Sequence, residues 1–146
     1  MPTAETVQWE RETSTVEEWP QQEENRELKA EIEQARTILK LADDWDEEGS
    51  PTYSKDTLDR AVAFLAAHSE QFEKLRLHLP VPKISPGPNG SIDIHWKRQS
   101  WELLVNIPAD AHEMAVFYGD NYGEQKIRGS VDPNTFNFGI AAWLMN

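Results

Sequence analysis

Between Ser91 and Ile107 the chain reads SIDIHWKRQSWELLVNI, and its apolar residues recur at every second position on both sides of a short polar interruption. Successive side chains of a strand point to opposite faces, so Ile92, Ile94 and Trp96 share one face. Trp101, Leu103, Val105 and Ile107 continue that face after a turn. A two-stranded antiparallel hairpin with one dry side is the economical solution. With Lys97 to Ser100 as the loop, Trp96 faces Trp101, Ile94 faces Leu103 and Ile92 faces Val105. Cross-strand pairs of this kind each stabilise a sheet by about 0.2–1 kcal/mol. The other face carries Ser91, Asp93 and His95, set against Asn106, Leu104 and Glu102 in the same register.

The flanks supply what such a hairpin needs to bury its dry side. From about Asn25 to Ala42, Leu28, Ile32, Ala35 and Leu39 recur at helical spacing, with acidic residues crowding the first turn. Ser54 is placed to cap a second helix running from about Lys55 to Ser69 or beyond, with Leu58, Ala61, Val62, Leu65 and Phe72 on its buried side. Trp45 is expected to plug the junction between the two. Pro80, Pro82, Pro86 and Pro88 predict an extended edge segment over 80–86, then a tight turn over 87–90 into the hairpin. Beyond it come a strand from Met114 to Tyr118, with Met114, Val116 and Tyr118 sharing a face, and another from Lys126 to Val131. A closing helix is expected to start at Asp132-Pro133. The fold class is therefore α+β: two N-terminal helices, an antiparallel meander of three to five strands and a C-terminal helix.

A chain of 146 residues is long enough for one domain with its own core, plus a tail. Residues 1–23 are rich in Thr, Ser, Gln, Glu and Pro and nearly free of aliphatics. Such a composition buries too little to offset its ordering entropy, so 1–23 reads as a flexible acidic arm and 24–146 as a single α+β domain. The charge is lopsided: of the formal −12, residues 1–48 contribute −10, from 15 acids and 5 bases. That field repels nucleic acid and anionic lipid and steers the chain towards basic surfaces. No cysteine is present, which excludes disulfides and thiolate metal sites. No signal peptide and no stretch approaching the ~18 apolar residues of a membrane span is recognisable, so a cytoplasmic location is expected.

Two groups of residues invite a chemical reading. Asp44, Asp46 and Glu48 followed by Gly49 match the opening of an EF-hand loop, but its twelfth position is Lys55 instead of a bidentate Glu, and its eighth is Pro51. The acids there, Asp44, Asp46, Glu47 and Glu48, read instead as a docking surface for a basic partner. Trp9 and Trp19, the latter beside Glu17 and Glu18, are set singly in the acidic arm in the manner of short motifs that order on a partner. On the polar face of the hairpin, Asp93, His95 and Glu102 form a weak catalytic set, joined by no nucleophile or glycine-rich loop. His68, His78 and His112 read as surface residues. No cofactor is implied.

The run Trp45-Asp46-Glu47-Glu48-Gly49-Ser50-Pro51, with Gly90-Ser91-Ile92-Asp93-Ile94-His95-Trp96 further on, resembles small bacterial proteins. They share a W-D-x-[acid]-G-[small]-P turn between helices and a G-x-[apolar]-x-[apolar]-x-W strand. The resemblance covers the middle of the chain; it implies a bacterial source and no activity. Taken together, the residues favour a non-catalytic, acidic, protein-binding module that neutralises or recruits a basic partner, as an antitoxin, immunity protein or adaptor does. The alternative is a small-ligand binder or enzyme using the polar face of the sheet.

Overall fold

The alternating stretch lies at the centre of a five-stranded antiparallel sheet whose spatial order follows the chain. The structure, a computed structural model, describes residues 26–146. Trp9, Glu17, Glu18 and Trp19 lie outside the described residues. The strands are β1 (Lys83–Pro86), β2 (Ile92–Lys97), β3 (Glu102–Ile107), β4 (Ala115–Asp120) and β5 (Lys126–Val131). With helices preceding and following the sheet, the architecture is α+β.

The faces of the hairpin are as the alternation requires, and its register is not. Ile92 pairs with Ile107, Ile94 with Val105 and Trp96 with Leu103, a two-residue shift from the expected pairing. The Arg98 N–H donates to the Trp101 carbonyl at 2.8 Å, so the connection is Gln99-Ser100 and Trp101 closes the turn instead of opposing Trp96. A shift by two keeps every side chain on its own face, which is why alternation alone does not detect it.

One face of this sheet is dry. Residues 26–35 are helical (α1); the chain then tightens into a 3-10 turn at Arg36–Lys40 and is extended at Leu41, so the first regular helix ends earlier than its apolar spacing predicts. Helix α2 (Lys55–Lys74) begins where Ser54 accepts from the Thr57 N–H, and lays Leu58, Ala61, Phe64, Leu65 and Phe72 over β2 and β3. Helix α3 (Phe138–Leu144) closes the far half, with Ile140 and Leu144 buried. Its cap is Asn137; Asp132-Pro133 forms a separate turn in which Asp132 accepts from the Asn134 and Thr135 N–H groups. Trp143 lies against the backbone of β4 because residue 119 is glycine: a Cβ there would stand 2.9 Å from the indole nitrogen. That nitrogen donates to the Glu102 carbonyl at 3.0 Å. Fully burying each large apolar side chain of this layer contributes about 1.5–3 kcal/mol. Among the described residues no helix is long and apolar enough to cross a membrane.

The two edges of the sheet are finished differently. In β1 the backbone groups of residues 83 and 85 face β2, so those of 82, 84 and 86 face outward. Pro82 and Pro86 have no N–H, and that of Ile84 donates to the Glu31 carboxylate of α1 at 2.9 Å. At the opposite edge the Asn121 N–H donates to the Gln125 carbonyl, which fixes the alternation so that Ile127, Gly129 and Val131 bond to β4. The N–H and C=O groups of Lys126, Arg128 and Ser130 point away from the sheet.

Candidate functional site

The acidic turn between α1 and α2 is a built structure. Asp44 and Glu47 adopt left-handed backbone angles, φ 59° and 61°, and Gly49 follows at 87°. Such angles persist in non-glycine residues only when neighbours hold them. Here the Asp44 carboxylate accepts from the Gly49 N–H at 2.6 Å, and the Asp44 N–H donates to the Ser50 carbonyl at 2.6 Å. Asp46 accepts from the Glu48 N–H at 2.9 Å and from the Ser50 hydroxyl. The Ser50 hydroxyl, with the Glu48 N–H after it, holds the Asp46 carboxyl below the usual carboxylate range. Of the turn's four acids assigned to docking, Asp44 and Asp46 thus bond within the turn, and Asp44 is exposed like Glu47 and Glu48. Among the described residues no cluster of three or more His, Cys, Asp or Glu could hold a metal ion.

Trp45 does not plug the helix junction. It keeps 38% of its surface exposed, its ring 6.3 Å from that of Tyr53. The junction is filled by Tyr53, which is buried and whose hydroxyl donates to the Gly87 carbonyl at 2.8 Å.

The second candidate region is the sheet face opposite the helices, on which none of the described strand residues is buried. Its rows run across the strands as Lys83, His95, Leu104, Tyr118, Arg128; Ser85, Asp93, Asn106, Val116, Ser130; and Lys97, Glu102, Asp120, Lys126. His95 therefore faces Leu104, not Glu102, but reaches Glu102 diagonally, Nε2 to Oε1 at 3.0 Å. Lys97 approaches the same carboxylate at 3.6 Å, and this charge, with Tyr122 second, raises the lysine's pKa. Asp93 belongs to a different network: the Asn106 side-chain amide donates to Asp93 and to the Ser91 hydroxyl, each at 2.8 Å. The structure thus joins His95 to Glu102 and separates both from Asp93. Ser91 and Asn106 line a cleft of about 370 Å³ with Asn89, Asp110 and Glu113.

Met114, Val116 and Tyr118 share a face as expected, but it is this open one, where they are 50%, 52% and 41% exposed. Both faces of β4 carry apolar residues, and the choice falls to Ala115, Phe117 and Gly119 because only the last admits Trp143.

His68 is not a surface residue. It is wholly buried between the rings of Phe64 and Phe136, with centroids 4.4 and 5.1 Å away. Nδ1 lies 2.9 Å from the Phe64 carbonyl, and Nε2 accepts from the Asn137 N–H at 3.1 Å. The ring is therefore neutral with its proton on Nδ1, and burial lowers its pKa. The spacing of Ala61, Leu65, His68 and Phe72 along α2 carries the signal that would have found it. Its role is to tie α2 to the cap of α3.

Comparison with protein-family models, with curated proteins and with solved structures finds no match to this chain.

Proposed function

We propose that the chain is a non-catalytic, acidic protein-binding module of the bacterial cytoplasm that recruits or neutralises a basic protein partner, in the manner of an antitoxin, immunity protein or adaptor. The observation that supports this reading is the turn around Trp45. Asp44 and Asp46 spend their carboxylates on the turn's own backbone, while an exposed tryptophan and the carboxylates of Glu47 and Glu48 stand outward. A partly exposed tryptophan on a turn braced by Asp44 and Asp46 needs little backbone ordering on contact, and this residue type is enriched among those that dominate interface energies. The arm's Glu17, Glu18, Trp9 and Trp19 extend the same chemistry, and the concentration of charge in residues 1–48 steers a basic partner towards it.

The test is capture from a bacterial lysate by the full chain, by the chain without residues 1–23 and by a Trp45→Ala/Glu47→Lys/Glu48→Lys variant. The reading expects a basic protein held by the full chain, weakened at least tenfold by the triple substitution, and an association rate that drops severalfold between about 50 and 300 mM salt. Equal retention by all forms, or a rate indifferent to salt, would count against it.

A second reading, a small-ligand binder or enzyme on the open sheet face, is favoured by the His95–Glu102 contact and by the cleft beside Ser91 and Asn106. Under it, His95→Gln or Asn106→Ala would abolish the activity or binding; under the first reading both leave partner capture unchanged.

A further inference from the structure

The geometry points to the free edge of β5 as a second docking site, one that takes an extended partner segment alternating acidic with apolar residues as a sixth strand. This is independent of the acidic turn and of the partner proposed for it.

Three observations converge on that edge. Its backbone is offered: Lys126, Arg128 and Ser130 direct three N–H and three C=O groups outward, and no other described residue pairs with them. At the opposite edge the outward donors are removed by Pro82 and Pro86 and capped by Glu31, so exposure at β5 is not the chain's general treatment of edges. Second, β5 carries two bases and no acid in a chain of net charge −12. Lysine and arginine guard an edge against copies of itself, since a two-fold pairing centred on the strand sets Arg128 against Arg128. They do not guard it against a strand of opposite sign, whose carboxylates would meet them side by side.

Third, the other side of the added strand has a receptacle. Side chains alternate, so residues between the carboxylates would turn towards the helix side, where a cleft of about 570 Å³ beside β5 is lined by apolar Ile127, Ala142 and Trp143 and by polar Glu124, Lys126 and Asn146. Gly129 has no side chain, and the Phe117 ring takes that place, 3.0 Å from where a Cβ would stand, which adds an apolar surface to the flank. In strand addition the main chain supplies affinity and alternate side chains supply specificity; here Lys126 and Arg128 ask for acid on one parity, and Ile127 with the Phe117 ring beside Gly129 asks for apolar on the other.

The experiment uses the full chain, amide exchange followed by NMR, and an acetylated, amidated peptide Thr-Glu-Val-Glu-Ile-Glu-Val-Thr. The site predicts at least tenfold slower exchange of the Lys126, Arg128 and Ser130 amides on adding peptide, with the β1 amides unchanged. A peptide with Lys in place of Glu should bind at least tenfold more weakly, and so should the Glu peptide to Lys126→Glu/Arg128→Glu. The lysine peptide probes the unaltered protein, so the charge rule is tested even if the variant misfolds. Equal binding of both peptides, or no protection at millimolar peptide, overturns the proposal. So does protection already present without peptide: at all concentrations it would assign the edge to residues 1–25 of the chain, and only at high concentration to a second copy.

Discussion

A histidine that must accept a hydrogen bond cannot take a second proton without losing it. His68 Nε2 accepts from the Asn137 N–H, and Asn137 in turn caps α3 by accepting from the Ile140 N–H at 2.9 Å. Protonation would turn the acceptor into a donor facing a donor, inside an apolar sandwich of Phe64 and Phe136. Because the folded-state pKa lies below the ordinary value of 6.5, the unfolded chain binds this proton first. The contribution to stability is therefore full above pH 6.5 and is lost as pH falls from there towards the folded-state value, at up to ~1.4 kcal/mol per pH unit. Urea midpoints at pH 7.5 and 5 should show this loss, and His68→Leu should flatten that part of the profile while costing about 1–3 kcal/mol at neutral pH by leaving the Asn137 N–H unpaired. An unaltered slope in the variant would assign the acid sensitivity elsewhere.

At the scale of elements, alternation told which face of each hairpin strand is dry, and turn chemistry decided the rest. The register slipped by two because Trp101, though apolar and on the right face, is used to close the turn; its ring lies 5.8 Å from the Arg98 guanidinium, an arrangement no periodicity encodes. The open face of β4 was illegible for a related reason, since apolar residues occupy both parities and the deciding contact, Trp143 on Gly119, is remote in sequence. The acidic turn was half legible: its acids are visible in the sequence, but that Asp44 and Asp46 bond inward and Trp45 stands outward follows only from the backbone angles. The sealing of β1 was legible in its prolines and invisible in Glu31, whose partner lies 53 residues away. Glu31→Ala should leave the Ile84 N–H exposed, cost about 1 kcal/mol and speed exchange of that amide by an order of magnitude. An Ile84 amide that stays protected in the variant would mean that another group covers the edge.

Across the described residues the molecule is one-sided. Its buried apolar side chains, from Leu28 to Leu144, form one cluster between the helices and a single face of the sheet. Of the net −12, residues 1–25 contribute −6, from seven acids and one base. Because residues 1–23 are nearly free of aliphatics, removing them should shift the unfolding free energy by less than about 0.5 kcal/mol in urea at moderate salt, while making association with a basic partner less dependent on ionic strength. A larger loss of stability would mean that the acidic segment packs.

The unequal finish of the two sheet edges also sets a limit on growth. A subunit that lengthens a fibre by strand pairing must be able to join at both ends. Among the described residues the β1 edge offers no outward N–H, since Pro82 and Pro86 lack one and that of Ile84 is held by Glu31; under the strand addition proposed at β5, a chain that joins another by its edge would therefore act as a terminator instead of a link.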